Sequence, residues 1–221
     1  MAGSLKLYSY WRSSAAYRVR IALNLKQLPH EIIPIHLLRD GGEQHKPEFH
    51  QINPQDRIPV LVHGQRIITQ SISIMEYLEE YFPENPIMPS TARERARVRS
   101  LAQIVACDIH PLNNLRVLQH LEKECAMPQP ERDAWVRKWI EEGFDSLEAL
   151  LADNPSTGDF CEGDNASIAD CCLIPQVYNA RRFGVDMAAY PTIMRIHDFC
   201  METEEFDHAR PEKQPDCPDA A

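Results

Sequence analysis

Two serines, Ser13 and Ser14, stand where an alternating, strand-like stretch (residues 5–10) gives way to a run of good helix formers (residues 15–26). A helix start presents unpaired backbone N–H groups and a partial positive charge. A thiolate seated there is stabilised and its pKa falls, and a serine hydroxyl can add a hydrogen bond to it. The competing account is that both serines cap the helix, a task for which Ser is favoured. Gln70-Ser71 opens a second helix directly after a predicted strand. A hydroxyl and helix-terminal N–H groups can hold a carboxylate there, again with a plain cap as the alternative. Ile58-Pro59 precedes another strand. A cis peptide at that point would free the backbone of residue 58 to pair with an extended ligand, although only about 5–6% of X–Pro bonds are cis.

Other chemistry-bearing groups read more plainly. Asp108 and His110 lie two apart on a helical stretch and so face different sides, which makes Asp108 structural. Nine histidines without an HxH or HExxH arrangement, and seven cysteines without a CxxC pair, give no metal site to expect. Cys171-Cys172 sits in an apolar run and reads as core. Arg18 and Arg20 read as structural ion pairs or exposed charges, and the basic run at residues 93–99 as a solvated helix face.

The elements that must carry these groups follow from periodicity. Residues 5–10 alternate as a strand, and residues 15–26 place Tyr17, Ile21, Ala22 and Leu25 on one helix face. Residues 30–35 read as an edge strand because of Pro34. A polar loop with a short helix follows, then a hairpin around His63-Gly64-Gln65 and an amphipathic helix from Ser71. The order β-α-β-α-β-β-α makes a small α/β domain with a mixed sheet over residues 1–84. Three prolines in residues 83–91 mark a linker. Residues 92–221 read as all-helical, with an interruption at Pro111 and a core stripe of Trp135, Trp139, Phe144, Leu147 and Leu151. A capping box, Ser167 to Asp170, opens a further helix.

Composition limits the function. The 221 residues carry a net charge of −10, which disfavours nucleic acid or an anionic membrane as partner. No apolar run approaches the roughly 18 residues of a membrane span, and the start of the chain has no signal-peptide core. A cytoplasmic protein with free thiols is expected.

In order along the chain, SSAAYRVRIALNLK, DGGEQ, NPQDRIPVL, ITQSISIMEYLEE, CDIHPLNNLRVL, FCEGDNASIADCCLIPQV and NARRFGVDMAAYPTI resemble the zeta class of glutathione transferases. The likeness covers nearly the whole chain and is closest to its bacterial isomerases. It implies a thioredoxin-like N-terminal domain, an all-helical C-terminal domain, a homodimer, and glutathione as cofactor. It places Ser13 as the hydroxyl partner of the glutathione thiolate, with Ser14 beside it. Gln44 and the backbone of Ile58, before a cis Pro59, become glutathione contacts, and Gln70 and Ser71 grip its γ-glutamyl end. His110, Asn114 and Arg116 become cleft residues from the helical domain, and Arg182 the arginine that meets an acidic diketo substrate. The family commonly has Ser-Ser-Cys where this chain has Ser13-Ser14-Ala15, so no protein thiol is expected beside the cofactor.

The implied reaction is glutathione-dependent cis–trans isomerisation of maleylacetoacetate to fumarylacetoacetate, in tyrosine and phenylalanine breakdown. Maleylpyruvate is the alternative substrate, and glutathione transfer to α-haloacids the alternative reaction. A non-catalytic glutathione-binding module has only Ala15 in its favour.

Overall fold

In the computed structural model, which describes residues 4–218, strand β1 (Leu5–Ser9) buries Leu5 and Leu7 on one face and turns Tyr8 to the other. Helix α1 (Ser14–Leu25) connects it to the parallel strand β2 (His30–Pro34). A loop with two short 3₁₀ turns and helix α2 (Pro47–Ile52) leads to the hairpin of β3 (Val60–His63) and β4 (Arg66–Thr69). Its two-residue turn needs the positive φ of Gly64, 61°. Helix α3 (Ser71–Tyr81) follows. The sheet order is β2-β1-β3-β4, with β3 antiparallel to both neighbours. The expected mixed sheet forms, and β2 takes an edge, with Pro34 as its last residue.

α1 and α3 pack together through apolar stripes, and Val19, Ile21, Leu23, Ile74, Met75 and Leu78 lose all solvent exposure. A second apolar cluster joins Tyr10, Ala16, Phe49, Ile58 and Val60, with Tyr8 set edge-on to Phe49 of α2. Lys26, which caps the C-terminal end of α1, is a fully buried cation. Its Nζ meets Glu79 Oε2 at 3.2 Å and the carbonyls of Glu84 and Asn85 at 3.1 and 3.2 Å.

The chain divides into two compact units. The first takes in the chain up to Ile87 and also the segment from Glu202 onward; the second runs Met88–Met201. The C-terminal segment thus departs from the expected helical span of 92–221. The reason is a set of polar anchors on α1 and the preceding turn. Asn24 Nδ2 donates to Glu205 O at 2.9 Å and Arg20 Nε to Ala209 O at 3.0 Å, while Phe206 is fully buried. Arg20 is not an exposed charge: it is 2% exposed, and it donates to the carbonyls of Ala209, Tyr10 and Trp11.

The second unit is helical. Its helices are α4 (Ala92–Gln103), α5 (Leu115–Lys123), α6 (Gln129–Leu151), α7 (Ile168–Arg182) and α8 (Pro191–Met201), and a four-residue helix α9 (Glu204–Asp207) lies in the C-terminal segment of the first unit. α4 opens with a capping box of Thr91 and Glu94, and α7 with the expected box of Ser167 and Asp170. The buried stripe of α6 is Val136, Ile140, Phe144, Leu147 and Leu151. Trp135 and Trp139 sit one residue off it and are half-buried, since the Trp135 indole N–H reaches out to Leu112 O at 2.9 Å. Cys171 and Cys172 are fully buried, as expected of core cysteines. The basic run of α4 is only partly a solvated face. Arg97 ties the end of α6 to the segment after it, reaching Leu150 O, Cys161 O, Thr157 Oγ1 and Glu162.

Candidate active site

The sheet brings one set of candidate residues to a common edge. Ser9 pairs with Pro34, Tyr8 with Val60, and Val60 with Thr69. The C-terminal ends of β2, β1 and β4 and the N-terminal end of β3 therefore lie in one row. Gln44 follows β2, Ser13 follows β1, Ile58 precedes β3, and Gln70 and Ser71 follow β4. At a strand spacing of about 4.8 Å the row spans roughly 14 Å, the scale of an extended tripeptide.

Ser13 is the N-cap of α1, and its Oγ accepts from Ala16 N at 3.2 Å. Capping and chemistry are compatible here. A hydroxyl has two lone pairs and one hydrogen, and the cap uses a lone pair, leaving the O–H to donate. Ser14 is the first residue of the helix. The first turn of α1 contains no acid, so nothing in it offsets the positive end of the helix dipole.

The start of α3 is built differently. Gln70 has φ 69° and ψ 120°, a region that L-residues avoid, and no side-chain cap bond. Such a backbone costs on the order of 1–3 kcal/mol and tends to persist where function requires it. Its amide N donates to Gln55 Oε1 at 2.8 Å. Ser71 is 7% exposed, and its Oγ accepts from Arg18 Nη1 at 3.2 Å. Arg18, itself 2% exposed, thus lies beneath a second helix start that also lacks acids in its first turn. Its burial departs from the exposed charge that was one of the two expectations for it. The signal available was two arginines embedded in an otherwise apolar helical run.

The Ile58–Pro59 peptide is cis. The loop before it is ordered by Asn53, 2% exposed, whose Nδ2 donates to Arg57 O at 2.7 Å. Gln44 is turned into its own loop, 5% exposed. Its Nε2 donates to Leu37 O at 3.3 Å and its side chain lies over Gly42, where any Cβ would come within 2.5 Å of it. Its Oε1 is buried without a hydrogen-bond partner among the described residues.

In the helical unit, His110 follows a π-helical segment, Ile104–Ile109, and starts a 3₁₀ turn, His110–Asn113, with Pro111 in its first positions. The interruption expected at Pro111 is therefore a change of helix type that begins earlier. Gly143 of α6 admits Ile109 so closely that a Cβ would lie 2.3 Å from its side chain. Asn114 caps α5 by accepting from Arg116 N at 3.3 Å, and Arg116 is exposed. Arg182 ends a different helix, α7, exposed and 4.9 Å from the Phe183 ring centre.

Residues 7–86 match the glutathione S-transferase N-terminal domain. The chain is 49% identical over 213 residues to a probable maleylacetoacetate isomerase of Vibrio cholerae, covering 96% of this chain and 98% of that one. Among solved structures it is similar to a holo maleylpyruvate isomerase described as a bacterial zeta-class glutathione S-transferase. The TM-score is 0.93 at 45% identity, covering 96% of this chain and 99% of that one. It is equally similar to a maleylacetoacetate isomerase of Methylobacterium extorquens with bound malonate and glutathione, with TM-score 0.93, 44% identity, and coverage of 96% and 99%. Likeness of this extent, over nearly the whole chain, makes it a member of the zeta class of the glutathione transferase family.

Proposed function

We propose that the chain is a glutathione-dependent isomerase that converts maleylacetoacetate to fumarylacetoacetate. The observation that carries this reading is the edge row, where two acid-free helix starts flank the cis Ile58–Pro59 peptide. That row fits glutathione, a γ-linked tripeptide with a thiol in the middle and an anionic group at each end. Ser13 sits mid-row for the thiol, and Ser71 sits at one end over a buried cation.

Bound glutathione supplies a thiolate that adds to the cis double bond and departs after rotation about the resulting single bond, so it is not consumed. The chain's residues do the rest. Ser13, with Ser14 beside it at the helix start, donates to the thiolate and lowers its proton affinity. Gln44 lies along the tripeptide, and the Ile58 backbone pairs with its cysteinyl part. Gln70 and Ser71 hold the γ-glutamyl carboxylate against the start of α3. His110, Asn114 and Arg116 serve in binding glutathione. Arg182 binds a substrate carboxylate in bidentate fashion and offsets charge developing on the substrate oxygen. Ala15 leaves the serine mechanism intact. A homodimer in the cytoplasm is the expected setting; no helix among the described residues is long and apolar enough to cross a membrane.

The test is the initial rate on maleylacetoacetate and on maleylpyruvate, each with and without glutathione, while total thiol is followed. Isomerisation that needs glutathione at constant thiol supports the proposal. A faster rate on maleylpyruvate favours that substrate, a reading supported by the 45% identical maleylpyruvate isomerase. Consumption of thiol, or no turnover of either compound, overturns it.

A further inference from the structure

The turn that carries Ser13 is held from outside its own sequence neighbourhood. Ser13 N donates to Tyr10 O at 3.0 Å and closes the turn. Trp11 N, inside that turn, donates to Asp216 Oδ2 at 2.9 Å across 205 residues of sequence. On the carbonyl side, Arg20 donates to Trp11 O at 3.0 Å, Tyr10 O at 3.4 Å and Ser9 Oγ at 3.2 Å, and its Nε is aimed by Ala209 O at 3.0 Å. Both ends of the Trp11 peptide framework are thus fixed by groups of the C-terminal segment, one directly and one through a buried arginine.

That segment is itself braced. Gln214, 5% exposed, donates to His208 O at 3.1 Å and Arg210 O at 2.9 Å, and Cys217 N to Gln214 O at 3.0 Å. Asp207 is ion-paired with Arg210 and Lys213.

We propose that Asp216 is a positioning residue for the thiol site, through which the C-terminal segment sets the direction of the Ser13 hydroxyl. This rests on the assignment of Ser13 above. Asp216 acts through Ser13, by fixing the Trp11 N–H and with it the backbone two residues before Ser13. Small displacements of a catalytic group from distant changes can cost up to about 100-fold in rate.

The experiment compares Asp216→Ala and Asp216→Asn in the full chain. For Asp216→Ala, turnover falls about tenfold and the titration of bound glutathione thiol moves to higher pH. Glutathione affinity changes less than about twofold, because Gln70 and Ser71 are untouched. Asp216→Asn keeps an acceptor for Trp11 N–H and recovers most of the loss. In a Ser13→Ala background, Asp216→Ala causes no further fall, since residues acting as one unit are non-additive. Unchanged turnover and titration in Asp216→Ala overturns the proposal, as does an equal extra loss in the Ser13→Ala background.

Should Asp216→Ala fail to fold by circular dichroism, Asp216→Ser, with a shorter acceptor, carries the same comparison. Amide exchange separates the two layers of the argument. Faster exchange at Trp11 and Ser13 in Asp216→Ala, with Ser13→Ala leaving the thiol titration unmoved, removes the role of Ser13 and keeps the clamp. Unaltered exchange removes the clamp.

Discussion

Replacing Ser13 by glycine separates its two tasks. The Oγ accepts from Ala16 N at 3.2 Å as a helix cap and, in the proposed mechanism, donates its hydrogen to the thiolate. Loss of the cap costs about 1 kcal/mol with alanine but only a few tenths with glycine. Ser13→Gly therefore removes the hydroxyl while α1 stays nearly as stable. A hydrogen bond to a charged group contributes about 1.5–3 kcal/mol. At 1.36 kcal/mol per unit that is a rise of about 1–2 units in the pKa of the bound thiol. Below the titration midpoint the thiolate fraction, and the turnover with it, falls about 10–100-fold. The assay is a pH titration of the thiolate ultraviolet absorbance in the glutathione complex, alongside initial rates at each pH. Raising the pH by the measured shift restores the rate, because the lost hydroxyl acted only on ionisation. An unmoved midpoint in Ser13→Gly refutes the assignment, and so does a rate loss that survives at high pH.

Three further outcomes follow from geometry. Lys26→Met removes the cation facing Glu79 and three hydrogen bonds in a buried site, and lowers stability by about 3–5 kcal/mol in denaturant melts; adding Glu79→Gln returns part of it, since Gln still accepts from Ile87 N. Burial lifts the Asp170 carboxyl above its usual range, against the opposing bonds from Cys161 and Ser167, so the native state binds this proton more tightly than the unfolded chain. The stability contributed by Asp170 therefore grows as pH falls towards the unfolded value near 3.9, and the melting gap between wild type and Asp170→Ala widens on acidification; a gap that narrows contradicts this. Arg182→Ala raises the KM for the acidic substrate about tenfold, with Arg182→Lys recovering only part because its ammonium lacks the planar fork; glutathione affinity stays put, and a shift in it instead would remove Arg182 from the substrate.

Much of the first unit was legible because one rule governed it. Alternation marked β1 and the hairpin, Pro34 marked the edge strand, and a 3.6-residue stripe marked α1 and α3. The proposed thiol site was marked in the sequence by two hydroxyl-bearing helix starts, though choosing chemistry over capping took the family likeness. What stayed hidden were polar groups satisfied at long range. Nothing near Arg20 in sequence says that Ala209 will accept from it, so a buried arginine looked like a surface one. The same blindness put residues 202–218 with the helices, and left Arg97 looking like one more solvated charge. On α6 Phe144, Leu147 and Leu151 are buried as expected, but Val136 and Ile140 take the places expected of Trp135 and Trp139, because Trp135 can half-bury and still bond Leu112 O, which periodicity does not weigh. Ile109, the last residue of the π-helical segment, packs into the space that Gly143 leaves, a contact between segments distant in sequence.

A non-contiguous first unit has a consequence for how the protein is made. The ribosome delivers the sheet, α1 and α3 first, then Met88–Met201, and only afterwards the segment that receives Arg20 and Asn24. At about 5–20 residues per second, the early unit waits on the order of ten seconds with the tail side of α1 uncovered. During that interval the nascent chain holds an arginine that lacks one of its carbonyl partners, Ala209 O, and an asparagine whose partner, Glu205 O, has not yet been synthesised. The stretch of α1 that carries Arg20 and Asn24 is therefore the exposed one during translation, and its protection arrives only with the segment that follows Met201.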